Sequence, residues 1–166
     1  GGINTVEQMA KVKAVVPETV FPHGYAVLNA DDDLTYAMKD DLKCNIALFS
    51  MDENNPRIKE HSSEGGLSAV FENGFVSILK GNWKIRVTNV KDIPLTYEGK
   101  TVHNINNCLP AVLATYLFRD ITIEDIRSAL TSFVPSSTQT PGRLNFFHFK
   151  HFTILADFAH NPHGLK

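Results

Sequence analysis

Two short apolar runs constrain this chain most: Tyr25–Asn29 (Tyr-Ala-Val-Leu-Asn) and residues 45–49 (Asn-Ile-Ala-Leu-Phe). Each is the length of one buried strand. Between them, Asp32 or Asp33 is placed to cap a helix carrying Leu34, Ala37, Met38 and Leu42 on one face. Strand, helix and strand in that order make a βαβ unit, with parallel strands and a right-handed crossover. The chain is therefore α/β.

The pattern then changes. Leu67, Ala69 and Phe71 alternate with other residues up to Asn73-Gly74, a strong two-residue hairpin signal. Phe75, Ser77 and Leu79 lead to a second turn at Gly81-Asn82, and Trp83, Ile85 and Val87 alternate with Lys84, Arg86 and Thr88. This predicts a three-stranded antiparallel meander with one wet face.

Helices lie on either side. Thr5 and Gln8 form a capping-box pattern for a helix that Pro17 should stop near Val16. Ile105, Cys108, Leu109, Val112, Leu113, Tyr116 and Leu117 follow helical spacing, with Pro110 either kinking that helix or marking its true start. Thr122 and Asp125 open another, continued by Ile126, Leu130 and Phe133. Residues 135–141 are rich in Ser, Thr, Gln and Pro and read as a linker. Beyond them, 143–149 and 152–156 read as two strands around a tight turn. The expected division is 1–135, a linker at 136–142, and the start of a second unit at 143–166.

With 166 residues there is room for one domain, or one and the start of another. Net charge is −2, so nothing calls for electrostatic binding of nucleic acid. No window approaches the ~20 consecutive apolar residues of a membrane span. The opening Gly-Gly-Ile-Asn shows no secretory signal. Cys44 and Cys108, the only cysteines, read as small buried hydrophobes in a reducing compartment. A cytoplasmic protein is expected.

Four groups of residues could carry chemistry. The apolar run at 153–156 enters Asp157, and Asn161-Pro162 is suited to open a helix. A carboxylate at the end of a buried strand, followed by a helix N-terminus, is where open α/β sheets bind nucleotides; an ordinary capped turn would look the same. The chain stops at Lys166, short of the ~12–15 residues an isolated helix needs, so it reads as a piece of something larger. His103-Asn104-Ile105-Asn106-Asn107 precedes an apolar helix, and its amides suit either a base edge or an N-cap. Pro141-Gly142-Arg143 could deliver a guanidinium to a phosphate. Asp31 and Asp32 could hold Mg²⁺, although capping is favoured. The H-x-x-H pairs at 148/151 and 160/163 lack the Cys or acidic partners of a zinc site, so no metal site is assigned. No G-x-x-x-x-G-K-[ST] loop and no G-x-S-x-G elbow is present.

In order and in combination, Tyr25-Ala-Val-Leu-Asn-Ala-Asp-Asp32, His103-Asn-Ile-Asn-Asn107, Pro141-Gly-Arg-Leu-Asn145 and Asp157-Phe-Ala-His-Asn-Pro162 resemble the Mur ligase superfamily, over essentially the whole chain. Phe158 stands where the family more often has Tyr, and Pro110 where it has a small helical residue. The resemblance implies the later part of a Mur ligase-type central ATP-binding domain, with parallel strands, helices and a meander. The first strands of a Rossmann-like C-terminal ligase domain would follow. It implies an ATP- and Mg²⁺-dependent amide ligase working through an acyl phosphate, with the main phosphate loop and metal ligands outside this chain. Within the superfamily the likeness is to the half of an enzyme that attaches arginine to poly-aspartate. Ligases of peptidoglycan precursors or folylpolyglutamate, and a non-catalytic ligase-like binding module, are the alternatives. By the same resemblance Asn104 and Asn107 lie near the adenine, Arg143 reaches the nucleotide, and Asp157 holds the ribose hydroxyls. His160 and Asn161 face the phosphates and the acceptor as catalytic residues. Expected partners are ATP and an amino-acid or peptide polymer, with neither nucleic acid nor membrane. An open sheet edge would invite pairing with a second copy. These residues alone are expected to be inactive.

Overall fold

The computed structural model describes residues 2–159, and in them a five-stranded mixed sheet is followed by a separate two-stranded ribbon. His160 and Asn161, the expected catalytic residues, lie outside the described residues, as do Pro162 and His163.

The βαβ expectation holds. β1 (Tyr25–Asn29) pairs parallel with β2 (Asn45–Ser50), Tyr25 opposite Asn45. The link between them differs in detail. Asp32 is the cap, accepting from the Thr35 N–H at 2.7 Å, but α2 is only Asp33–Ala37 before a 3₁₀ turn takes over at Met38–Asp41. That change of winding alters the face presented inward. Leu34 and Ala37, expected inside, are exposed, whereas Tyr36, Met38 and Leu42 pack on the core.

β3 (Leu67–Glu72), β4 (Phe75–Lys80) and β5 (Trp83–Asn89) form the meander, turning at Asn73-Gly74 and at Gly81-Asn82. It does not stand alone. β3 also pairs parallel with β2, Ala47 opposite Leu67, giving one sheet in the order β1-β2-β3-β4-β5. The expectation of one wet face is thereby corrected. Ala47, Ala69, Val76 and Ile78 belong to one buried cluster, and their neighbours Leu48 and Val70 to another. Since successive side chains point to opposite faces, the central strands are covered on both sides. Only β5 keeps a wet face, with Lys84 and Arg86 exposed on it.

A helix that the periodicity does not announce supplies the second cover. α3 (Pro56–Ser63) makes the crossover that two parallel strands require. Asn55 caps it, accepting from the Arg57 N–H at 3.0 Å, and Pro56 fits its first turn. Ile58, fully buried, anchors it.

The other face carries α4 (Val102–Tyr116) and α5 (Ile123–Ser132). Thr101 stands at the N-cap of α4, so Asn104 is not its cap. Pro110 lies inside the helix, not at its start, and α4 continues through it. Proline there costs roughly 3 kcal/mol. Ile105, Cys108, Leu109, Val112 and Leu113 are all buried on the same helix, and each such apolar side chain contributes about 1.5–3 kcal/mol. Packing therefore wins. α5 opens with the expected capping box: Thr122 accepts from the Asp125 N–H, and the Asp125 carboxylate from that of Thr122.

α1 (Val6–Glu18) is capped by Thr5, but Gln8 reaches the Asn4 N–H at 2.7 Å, not that of the cap. It runs past the expected stop, with Pro17 in its last turn, and buries none of its residues. β6 (Asn145–His148) and β7 (Thr153–Ala156) form the antiparallel ribbon, Asn145 opposite Ala156. β7 was expected to be buried, yet Ile154 and Leu155 are about half exposed, at 47% and 50%. A two-stranded ribbon has too little of its own to cover either face.

Candidate functional site

The site begins with a strained turn. Residues 94–99 leave β5, and Tyr97 (φ 51°, ψ 60°), Glu98 (φ 60°) and Gly99 (φ 80°) follow one another in left-handed conformation. Two consecutive non-glycine residues there are uncommon and need outside support. Thr96, fully buried, supplies it. Its hydroxyl lies 2.5 Å from the Val90 carbonyl and 2.9 Å from that of Ile93, and accepts from the Gly99 N–H at 3.1 Å. A Cβ on Gly99 would lie 3.0 Å from Val90, so glycine suits that position doubly.

This turn touches two of the motifs. On one side, the Asn104 amide, in the first turn of α4, donates to the Leu95 carbonyl at 2.8 Å. That leaves Asn104 one oxygen acceptor and one further N–H. Asn107 lies three residues on, hence on the same helical face, and is exposed. On the other side, the Tyr97 hydroxyl donates to the Leu144 carbonyl at 2.7 Å, 47 residues away in sequence. The Tyr97 ring also meets Phe146 edge-on, centroids 5.4 Å apart.

Leu144, itself at φ 48°, lies within the Pro141–Asn145 turn. Its N–H donates to Asp157 at 2.9 Å, and the Phe158 N–H donates to the Gly142 carbonyl at 2.7 Å. Asn145, buried, closes the turn from inside. Its oxygen accepts from the Gly142 N–H at 2.7 Å, and its nitrogen donates to the carbonyls of Thr140 (3.0 Å) and Arg143 (3.2 Å). Arg143 projects to solvent with its guanidinium 5.5 Å from the centre of the Phe158 ring. Asp157 is exposed, and its second oxygen has no hydrogen-bond partner among the described residues.

Arg143 and Asp157 are thus brought onto one turn, and Asn104 is linked to them through residues 95–97. Asn107, exposed on α4, is not joined to that turn by any side-chain hydrogen bond among the described residues. A cleft of about 620 Å³ opens beside this junction, with Tyr97, Ser136, Asn145, Phe146 and His148 in its walls. None of the four expected nucleotide-binding residues lines it. Nothing local in the sequence marks Tyr97.

The remaining candidates have structural work. Asp31 accepts from the Ser50 hydroxyl (2.5 Å), the Met51 N–H (2.7 Å) and the Asn55 amide (2.9 Å), tying together the ends of β1 and β2. His148 sits against Thr153 at 3.1 Å, and His151 is exposed. Among the described residues no cluster of three or more His, Cys, Asp or Glu side chains is arranged to hold a metal ion. Cys108 is a buried thiol, pushed up to about 11 by burial, and neither cysteine is bonded to the other. No described helix is long and apolar enough to cross a membrane.

The mixed α/β sheet with its helices is consistent with a Mur ligase-like domain, and the similarities to known proteins agree. The UDP-N-acetylmuramate–L-alanine ligase of Acetivibrio thermocellus is 30% identical over 158 residues, covering 92% of this chain and 29% of that protein. The likeness to cyanophycin synthetase is greater. The Synechocystis sp. enzyme is 47% identical over 166 residues, 100% of this chain and 19% of its own length. That of Geminocystis herdmanii is 48% identical over 164 residues, 99% of this chain and 19% of its own. The chain therefore spans about a fifth of the length of these cyanophycin synthetases. No family model matches it.

Proposed function

We propose that the protein carrying this chain is an ATP-dependent carbon–nitrogen ligase of the cyanophycin synthetase kind, joining arginine to the side chains of poly-aspartate through an acyl phosphate. Residues 1–135 would belong to its central ATP-binding domain, 136–142 to a linker, and 143–166 to the start of the following domain. The greater identity to cyanophycin synthetases than to the muramate ligase supports this substrate class over a peptidoglycan precursor. A cytoplasmic location goes with the reading.

One observation carries it: Asn104 and the Arg143–Asp157 pair hang from a single turn, through Leu95 on one side and Tyr97 on the other. A nucleotide needs a base-reading group and a ribose- or phosphate-reading group at fixed separation, and positioning is most of what phosphoryl transfer asks of a protein. Asn104 retains one donor and one acceptor, the pattern that matches an adenine edge. Asn107 would extend that edge. Asp157 retains a carboxylate oxygen for a ribose hydroxyl, and Arg143 a guanidinium for phosphate. His160 and Asn161 would follow directly at the phosphate and acceptor side. Mg²⁺ would neutralise phosphate charge, with its ligands supplied from outside this chain.

In the intact ligase, Asp157→Ala should raise the KM for ATP by the loss of a charge-assisted hydrogen bond, about 1.5–3 kcal/mol or roughly 10- to 150-fold. Steady-state kinetics with ATP varied measure this, and an unchanged KM would remove Asp157 from the nucleotide. Residues 1–166 alone should not turn over ATP, and detectable hydrolysis by them would contradict the division of labour proposed here.

A further inference from the structure

The geometry points to Tyr97 and Asn145 as positioning residues that together fix the direction in which Arg143 and Asp157 are presented to the nucleotide, an inference that rests on the ligase reading above. The peptide of Leu144 is gripped on both sides: its carbonyl by the Tyr97 hydroxyl and its N–H by the Asp157 carboxylate. Arg143 is the residue immediately before it. Whatever sets the plane of that peptide therefore sets where the guanidinium begins and where the carboxylate ends.

Tyr97 is built to be that reference. Its backbone is held in left-handed conformation between a buried, fully engaged Thr96 and a glycine that packs on Val90, so the phenol has little freedom to follow the ribbon. The hydroxyl must donate, because a carbonyl can only accept. Burial pushes the phenol above its ordinary range, so it keeps that proton at any working pH. Asn145 completes the grip from within, spanning Thr140, Gly142 and Arg143 with one buried side chain. The β6–β7 ribbon has little buried surface of its own, so these directional bonds, rather than packing, decide how the turn sits.

Four variants of the intact ligase test this by ATP-dependent steady-state kinetics: Tyr97→Phe, the pair Arg143→Ala with Asp157→Ala, and Tyr97→Phe added to that pair, with Asn145→Ser taking the place of Tyr97→Phe should the latter fail to fold. Phenylalanine keeps the edge-on contact with Phe146 and removes only the donor. Tyr97→Phe should raise the KM for ATP about 2- to 10-fold, the range for one neutral hydrogen bond, with kcat within about twofold. Added to the Arg143/Asp157 pair it should cost less than about twofold more, because there is nothing left to position. A fall confined to kcat, an unchanged KM, or an undiminished effect in the pair's background overturns the positioning role while leaving the ligase reading intact. An unchanged KM in the Arg143/Asp157 pair removes both residues from the nucleotide, and overturns the inference with them, while detectable ATP-dependent ligation still upholds the ligase reading.

Discussion

The five-stranded sheet and the β6–β7 ribbon are held by different forces. In the sheet, α4 and α5 on one face and α3 on the other remove Ala47, Leu48, Ala69, Val70, Ile78, Leu109 and Leu113 from water almost completely. In the ribbon, Phe147, Phe149, Phe152, Ile154 and Leu155 are all 40% exposed or more, and the polar residue Asn145 is its buried one. The sheet draws on non-directional apolar burial, summed over many residues. The ribbon is located by a handful of hydrogen bonds around Leu144, which are worth less in total but specify direction. Stability and positioning are therefore separable here, and different substitutions should reach each.

The largest effect should come from the sheet's packing. Leu109→Ala, at a fully buried position on α4, should lower unfolding free energy by about 2–5 kcal/mol in urea titration. A loss below about 1 kcal/mol would mean that the core collapses around the gap and that the contrast is overstated.

Next is the sheet's single buried carboxylate cluster. Glu72 accepts from Ser77 (2.9 Å), Lys84 (2.5 Å) and Arg86 (3.3 Å). Burial alone would raise its pKa, but those hydrogen bonds outweigh burial and hold it at about 2. Both cations are about half exposed, so Glu72→Gln should cost about 1–3 kcal/mol near neutrality rather than the full value for a buried pair. The native contribution is complete above the ordinary carboxylate pKa near 4.5 and is lost as pH falls through about 2. Stability curves of the two proteins should therefore converge over that window. Parallel curves would show that the Glu72 carboxyl has the same pKa folded as unfolded, and so that its three hydrogen bonds add no net stability.

Smaller again is the contact between α3 and the start of β3. A Cβ on Gly66 would fall 2.4 Å from the His61 ring, so Gly66→Ala should destabilise by about 1–2 kcal/mol, read by thermal melting. Burial lowers the pKa of His61, so the unfolded chain takes up its proton first, near pH 6.5. Stability from this group is present above that value and declines as pH falls through it towards the folded pKa. His61→Gln should flatten that decline; an unaltered slope would assign it elsewhere.

The smallest effect belongs to the ribbon. Leu155→Ser, half exposed on β7, should change stability by no more than about 0.5 kcal/mol. A loss as large as that at Leu109 would mean that something covers the ribbon after all.

What could be read in advance follows the same divide between local and distant causes. β1, the Asn73-Gly74 hairpin and the capping box at Thr122 were legible because each is written within a few consecutive residues. α3 was not, since Ile58 is its one buried apolar residue and a single inward side chain makes no periodicity. Its Asn55-Pro56 start was nonetheless the same cap-and-proline signal noted at Asn161-Pro162. The joining of β3 to β2 turned a half-wet meander into a doubly covered sheet, and no pattern inside 67–89 encodes that partner. At the candidate site, Asn104, Arg143 and Asp157 stood out as motif residues. Tyr97 did not, because its significance depends on an unusual backbone and on a carbonyl 47 residues away.

Leu144 gives this arrangement a practical consequence. It holds a left-handed backbone (φ 48°) that glycine would adopt without penalty, so a branched side chain there costs the native state about 1 kcal/mol or more. Leucine also gives the denatured chain fewer shapes to explore than glycine would. A protein engineer has in this one codon an adjustable stiffness for the turn that carries Arg143 into the ribbon. Leu144→Gly would loosen the joint while leaving every hydrogen bond of its peptide chemically intact.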